Sequence, residues 1–149
     1  MDIKSILIQL ISAFLGSLGF SLLFGMRGRH LIPASLGGVL IWGIYLALSS
    51  LIHDGGFLAC ILASASAVCY AELMAHLRKC PATIFVIPAI LPLVPGGSLY
   101  YTMANAVSKN ITVAKAYGSQ TLETALAIAA GISFVIAVRQ LTTKRSNVK

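Results

Sequence analysis

The stretch Pro88-Ala-Ile-Leu-Pro92-Leu-Val-Pro95-Gly96-Gly97 decides how this chain folds. It lies within residues 80–108, a run that contains no Asp, Glu, Lys or Arg. A hydrophobic run of that length is typical of a membrane-spanning helix, which needs about 20 apolar residues. Proline, however, lacks a backbone N–H and clashes with the carbonyl four residues earlier. The pattern therefore predicts a membrane span that is broken near its middle.

The break leaves backbone carbonyls without helical partners. Counting back four residues, Pro88, Pro92 and Pro95 release the carbonyls of Ile84, Pro88 and Leu91. Bare backbone is tolerated at bilayer depth only where protein or a water-filled cavity satisfies it. Broken helices of this kind often mark the site of a transporter, so we expect a transport function.

The composition indicates an integral membrane protein. Of the 149 residues, 58% are hydrophobic and 10% are charged, whereas soluble domains carry about 25% charged residues. We predict an all-α integral membrane fold, a single transmembrane domain over residues 1–149, in which the fourth of five transmembrane helices is broken at the Pro/Gly-rich midplane segment. The helices are predicted at about residues 5–26, 31–52, 56–76, 83–107 and 121–141. The longest connection would then be residues 108–120.

The basic residues predict an orientation. In a five-span arrangement eight of the eleven fall on one side, namely Arg27, Arg29, Arg78, Lys79, Arg139, Lys144, Arg145 and Lys149. Lys4, Lys109 and Lys115 fall on the other side. Because Lys and Arg in short loops favour the cytoplasm, we expect a multi-pass protein of the cytoplasmic membrane with its N-terminus outside and its C-terminus inside.

Several other classes of protein are disfavoured. The basic residues form no stripe interleaved with aromatic side chains, so we expect no nucleic-acid partner. His30, His53 and His76 are scattered without the spacing of metal ligands, and we expect neither a metal nor a cofactor. No HExxH or Ser/His/Asp pattern is present, so we predict no catalytic residue and a protein that is not an enzyme.

Small residues recur at every fourth position in two segments. One ladder is Ala59, Ala63, Ala67, Ala71 and Ala75, and the other is Thr121, Ala125, Ala129, Ser133 and Ala137. Helices in lipid associate through close approach at small residues. Packing within the chain would explain most of this pattern, but some ladders could face another copy of the chain or another subunit. Five helices are also few for a solute pathway, which favours a second chain.

The second half of the broken segment is the predicted substrate-binding site. A helix that starts near Pro95 leaves the N–H groups of Gly96, Gly97 and Ser98 without intrahelical acceptors. Free amides and the positive end of the helix dipole attract a carboxylate. The full predicted set is Pro92, Pro95, Gly96, Gly97, Ser98, Tyr100, Tyr101 and Asn105. The alternative is a proline kink sealed by neighbouring helices, with the tyrosines in an aromatic belt.

Glu72 is an ionisable residue inside a predicted span, and such residues are functional candidates. It lies about one turn from the predicted cytoplasmic end, four residues before His76. Two interpretations stay open. Glu72 either pairs with interfacial cations near Arg78, or it contributes with His76 to coupling or substrate contact.

The order of these features resembles the threonine/serine exporter family, in particular its small membrane subunit, which is similar to the C-terminal half of the fused exporters. The resemblance rests on the turn from Phe24 to Pro33 with its Arg27-Gly-Arg29-His30, on Gly37-Gly38, and on Pro88, Pro92, Pro95, Gly96, Gly97 and Tyr100. It covers nearly the whole chain, and its specific element is the proline–glycine break.

The resemblance implies a secondary exporter of small carboxylate-bearing metabolites, either threonine and serine or a dicarboxylate such as succinate. It also implies a larger membrane subunit of the same family as partner. The composition and the ladders add the lipid bilayer and a possible homo-oligomer to the expected partners. The alternative from another class is a non-transporting membrane scaffold or assembly subunit whose ladders dock a partner.

The orientation can be tested with a reporter fused after Lys149. Because eight of the eleven basic residues fall on the same side as this terminus, a phosphatase reporter should be inactive there and a cytoplasmic fluorescent reporter should fluoresce. The opposite pair of results would show that the number of spans or the orientation is wrong.

Overall fold

The computed structural model describes residues 3–52 and 56–146, with side chains up to residue 141. It contains α1 (Ile3–Leu23), α2 (Leu31–Leu51), α3 (Gly56–Arg78), α4 (Thr83–Ile90), α5 (Gly96–Val107) and α6 (Ile111–Ser146), with 3-10 turns at Gly28–His30 and Leu91–Leu93. The predicted helical class and the broken fourth segment are confirmed. His53, Lys149 and the side chains of Lys144 and Arg145 lie outside the described residues.

The inner half of the broken segment occupies the centre of the protein. Helix α4 packs between α2 and α3, and the following 3-10 turn continues along the same line. Leu93 in that turn is buried against Ile41, Ala63 and Ala67, which lie near the middles of α2 and α3. The break therefore begins at mid-depth, as its position in the sequence predicted.

Helices α3 and α6 run side by side in the same direction. The Cys60 thiol lies 3.9 Å from the carbonyl oxygen of Thr124, and Arg139 donates to Glu72 at 2.9 Å. The residue with the higher number on α3, Glu72, contacts the residue with the higher number on α6, Arg139. The two helices are therefore parallel. The chain between them must then cross the membrane once. We infer that α4 and α5, which are bent by 54° at the break, form one span and that the chain crosses five times.

Helix α6 differs from its prediction, which placed its start at Thr121. It begins at Ile111, so the connection from α5 is only Ser108–Asn110. Asn110 is a preferred residue immediately before a helix, and this signal was available in the sequence. The polar residues Lys115, Ser119 and Gln120 hid the helix because they lower the hydropathy by which a span is recognised.

The extra turns of α6 extend beyond the N-terminal end of α3. Thirteen residues of α6 precede Thr124, whereas four residues of α3 precede Cys60 at the same level. At 1.5 Å per residue, α6 continues about 14 Å beyond α3. Helix α5 lies antiparallel on this extension, with Thr102 beside Gly118. Within the described residues, α5 buries no side chain.

The two ladders of small residues have different roles. Ala59, Ala63, Ala67 and Ala71 of α3 are fully buried, as expected for packing within the chain. In the part of α6 beside α3 the buried residues are Ala127 and Gly131, while Ala125, Ala129, Ser133 and Ala137 face outward. These four residues are therefore not used for packing against the described part of this chain, whereas Thr121, the first residue of the ladder, is half-buried.

Gly131 sets the distance between α3 and α6. A Cβ atom at this position would collide with the Ser64 hydroxyl and the Ile61 carbonyl, and would lie 3.1 Å from the Ala65 nitrogen. Gly131→Ala should therefore destabilise the protein by about 1–3 kcal/mol through overpacking, measured by thermal unfolding in detergent. A Cβ at Gly16 in α1 meets nothing within 4 Å, so Gly16→Ala is the matched control. Equal melting temperatures for the two variants would contradict this packing.

Candidate functional site

The break contains two successive departures from helical geometry. The 3-10 turn Leu91–Leu93 follows α4, and Val94 then adopts an extended conformation with φ −61° and ψ 126°. Pro95 has φ −77° and ψ 55°, which is close to an inverse γ-turn. In that turn the Gly96 N–H donates to the Val94 carbonyl at 2.8 Å. The expectation that the Gly96 amide is free was therefore wrong.

The next two amides are the open ones. Leu99 makes the first α-helical bond of α5, from its N–H to the Pro95 carbonyl at 3.0 Å. Gly97 and Ser98 precede it, and their N–H groups have no acceptor among the described residues. The Ser98 hydroxyl donates back to the Pro95 carbonyl at 3.2 Å. The amides that could hold an anion are thus those of Gly97 and Ser98.

There is space for a ligand beside these amides. A Cβ atom placed on Gly96 or Gly97 would have no neighbour within 4 Å outside its own helical backbone and adjacent residues in the described part of the chain. Both glycines are exposed and Ser98 is partly buried. The structure therefore opens the predicted carboxylate site to the surroundings and does not enclose it.

Two of the three carbonyls released by the prolines, those of Pro88 and Leu91, have new hydrogen-bond donors. The Ser17 hydroxyl of α1 donates to the Pro88 carbonyl at 2.9 Å, in a fully buried position. This carbonyl is the one that loses its helical donor at Pro92. The Leu91 carbonyl, released by Pro95, accepts from the Val94 N–H at 3.1 Å. The hydrogen bonding of the backbone carbonyls in the break thus depends partly on a side chain from another helix.

Gly38 explains how α1 reaches that carbonyl. A Cβ atom at Gly38 would collide with the Ser17 hydroxyl and lie 3.2 Å from the Pro88 carbonyl oxygen. Neighbouring Gly37 has a similar role, since a Cβ there would lie 2.7 Å from the Tyr70 ring. We call Ser17, Gly38 and Pro88 the serine–proline junction. It joins α1, α2 and α4 at one point.

The polar residues of α5 bond mainly to their own helix. Asn105 donates from its side-chain nitrogen to the Tyr101 carbonyl at 2.8 Å, and Thr102 donates to the Ser98 carbonyl at 2.7 Å. The Tyr101 ring stacks on Tyr117 of α6 at 5.3 Å between centroids. Tyr100 meets Tyr101 edge-on and is 68% exposed. The predicted residues Tyr100, Tyr101 and Asn105 therefore belong to one helix, in which no described side chain is fully buried.

The open amides lie towards the end of the bundle where α3 begins. Tyr101 is level with Tyr117 on the antiparallel α6, which puts Gly97 level with about Thr121. Thr124 in turn is level with Cys60 in the second turn of α3. Pro92, beside the mid-depth residue Leu93, is deeper. The predicted site therefore extends from mid-depth to one membrane interface.

Glu72 is paired with a cation that the sequence did not suggest. Its carboxylate accepts from Arg139 of α6 at 2.9 Å, with side-chain exposures of 28% for Glu72 and 63% for Arg139. Arg78 instead donates to the Arg29 carbonyl at 3.2 Å. His76 lies one turn further along α3 and is exposed. Only the parallel packing of α3 and α6 brings Glu72 and Arg139 together.

A protein-family model described as "Threonine/Serine exporter, ThrE" matches residues 9–138 of the chain. The match includes the whole break and the serine–proline junction. No curated protein and no solved structure gives a significant match.

The serine–proline junction can be tested by a double-mutant cycle. Ser17→Ala leaves the buried Pro88 carbonyl without a donor, which should lower the free energy of unfolding by about 1–3 kcal/mol. Pro92→Ala restores an N–H that can bond to the same carbonyl. In that background Ser17→Ala should cost clearly less, as measured by thermal or denaturant unfolding.

Ser21→Ala is the matched control for this cycle. Ser21 is also buried, but its hydroxyl donates within α1, to the Ser17 carbonyl. Its substitution should cost the same whether position 92 holds proline or alanine. An equal cost of Ser17→Ala in both backgrounds would show that the hydroxyl does not serve the carbonyl released by Pro92.

Proposed function

The chain belongs to the threonine/serine exporter family, and we propose that it forms the half of an exporter that holds the substrate carboxylate at the start of α5. It is a multi-pass membrane protein with an exporter-type transport role, and its family is one of transporters rather than enzymes. The proposed substrates are small carboxylate-bearing metabolites, either threonine and serine or a dicarboxylate such as succinate.

The observation that carries the proposal is the pair of open amides at Gly97 and Ser98. Two adjacent N–H groups at a helix N-terminus favour an anion, because the helix dipole adds a partial positive charge. Glycine at position 97 leaves room for close approach of a ligand to the backbone. Tyr100, Tyr101 and Asn105 follow within three turns and would provide further polar contacts.

A larger membrane subunit of the same family is the proposed partner. The site is open on this chain, and α5 contacts mainly α6 among the described helices. The outward part of the α6 ladder starts at Ala125, one turn along the helix from Thr121, which is level with Gly97. A partner helix packed on Ala125 and Ala129 would therefore reach the open amides and could enclose them. The proposed assembly uses the exposed ladder as a close helix–helix contact.

The same ladder favours the scaffold alternative, because docking a partner requires small residues but no open amides. The two functions differ in what α5 does. A scaffold would tolerate a larger side chain at position 97 as long as the partner still binds. An exporter that holds its substrate there would not.

The remaining proposals concern orientation and coupling. We place the N-terminus outside and the C-terminus in the cytoplasm of the cell membrane, since the basic residues at the Arg78 end outnumber those at the other end. Glu72 and His76 are the proposed coupling residues. Protonation of Glu72 would break its ion pair with Arg139 and so weaken the contact between α3 and α6.

Gly97→Leu is the variant that tests the carboxylate site. The leucine side chain would cover the Gly97 and Ser98 amides, so efflux of the exported metabolite should fall to background. The measurement is efflux of radiolabelled threonine, serine and succinate from cells that contain this chain, the larger subunit, or both. We expect export only from cells with both subunits, and none when Gly97 is replaced.

Gly16→Leu is the matched control, because Gly16 is also a helical glycine with open space around its Cβ position. It should leave efflux intact, and both variants should reach the membrane and co-purify with the larger subunit. Equal loss of co-purification in both variants would favour a scaffold. Normal efflux by Gly97→Leu would show that the substrate does not bind at the start of α5. Full export by this chain alone would refute the need for a partner.

A further inference from the structure

A groove lies at the opposite end of the molecule from the open amides. It has a volume of about 410 Å³ and runs between the turn after α1 and the first turns of α4. Its lining includes Phe24, Arg27, His30, Thr83, Ile84 and Ile87. It lies at the end of the bundle where α1 and α3 finish, which is a membrane interface in a five-span protein.

The wall formed by the turn after α1 has a defined conformation. Gly25 adopts φ +73°, and the N–H groups of Gly25 and Met26 bond to the carbonyls of Leu22 and Ser21 at 2.9 and 3.0 Å. This pair of bonds is a Schellman motif, which fixes the exit of the chain from a helix. Arg27 is therefore held at the rim by an ordered turn.

The opposite wall is tied to the same turn. The His30 ring meets Phe85 of α4 edge-on, with 6.3 Å between centroids. His30 Nδ1 also lies 4.0 Å from the Cys80 thiol sulfur. These contacts hold the turn against α4. Both walls of the groove are therefore ordered parts of the folded chain.

The groove is basic at its rim. Arg27 and His30 line it, and Arg29, Arg78 and Lys79 belong to the same end of the bundle, where Arg78 donates to the Arg29 carbonyl. The described part of the chain contains two acids, Glu72 and Glu123, and neither lines the groove. An anionic group entering there would meet positive charge without a competing carboxylate.

Below the rim the groove is apolar. Phe24, Ile84 and Ile87 form the apolar part of the lining, and Phe24 and Ile87 are 57% and 40% exposed. A small hydrophilic metabolite would gain nothing from that surface. A molecule with an anionic head and hydrocarbon chains would match both parts, with the head at the interface and the chains towards the bilayer core.

We propose that this groove binds one anionic phospholipid. The phosphate would pair with the Arg27 guanidinium, which presents several donors to phosphate oxygens, and the Thr83 hydroxyl lies at the same rim. The first carbons of the acyl chains would cover Phe24, Ile84 and Ile87. Basic pockets between membrane helices are recognised lipid headgroup sites. The lipid would bridge the end of α1 to α4, and this inference is independent of the exported substrate.

The test is lipid binding by the purified protein in detergent, titrated with phosphatidylglycerol or phosphatidylcholine and measured by native mass spectrometry. One phosphatidylglycerol should bind more tightly than phosphatidylcholine. Arg27→Gln should weaken phosphatidylglycerol binding about fivefold, the effect expected for one basic residue near a lipid surface, and should leave phosphatidylcholine binding unchanged. Lys115→Gln, which removes a positive charge from the α5–α6 end, should change neither.

Ile87→Trp is the second variant, which fills the apolar part and keeps every charge. It should also weaken phosphatidylglycerol binding, whereas Leu77→Trp, at an exposed position of α3 outside the groove, should not. Equal losses from Arg27→Gln and Lys115→Gln would show a diffuse charge effect and overturn the proposal. Displacement of the lipid by millimolar inorganic phosphate or succinate would also overturn it, by identifying a small-anion site.

Discussion

The fold depends on one requirement, that a backbone carbonyl in the hydrocarbon region has a hydrogen-bond donor. Pro92 removes the donor of the Pro88 carbonyl, and the Ser17 hydroxyl replaces it. This replacement demands that α1 approach α4 closely, and Gly38 of α2 is the residue that permits the approach. A proline that would be a defect in an isolated helix becomes the reason why three helices meet.

The two halves of the broken span have different environments for this reason. The inner half, α4 with its 3-10 turn, is surrounded by α1, α2 and α3 and contains the buried residues Phe85, Ala89 and Leu93. The outer half, α5, lies on α6 and buries no side chain within the described residues. Segments with few buried contacts open most readily. Movement during transport is therefore expected in α5 and at the Val94–Pro95 joint rather than in α4.

Much of this architecture could be predicted from the sequence because it follows from local chemistry. Hydropathy and proline spacing located the break, and the small-residue repeat located the buried face of α3. Three features could not be predicted in that way. The Gly96 amide is occupied because Pro95 adopts the ψ of an inverse γ-turn, and both Glu72 with Arg139 and Ser17 with Pro88 are pairs distant in sequence. The start of α6 was missed although Asn110 signalled it, because a helix that leaves the bilayer loses its hydropathy signal.

The unequal use of the two ladders follows from the same geometry. On α3 the four-residue repeat is buried because α2, α4 and α6 all pack around that helix. On α6 the buried residues beside α3 are Ala127 and Gly131, which leaves Ala125, Ala129 and Ser133 on a different face. That face begins at Ala125, one helical turn from the level of Gly97, where the open amides lie. The α6 ladder and the open amides are thus neighbours, so a single partner helix could cover the ladder and close the site together. In the proposed assembly, binding of the partner and formation of the substrate site would then be one event.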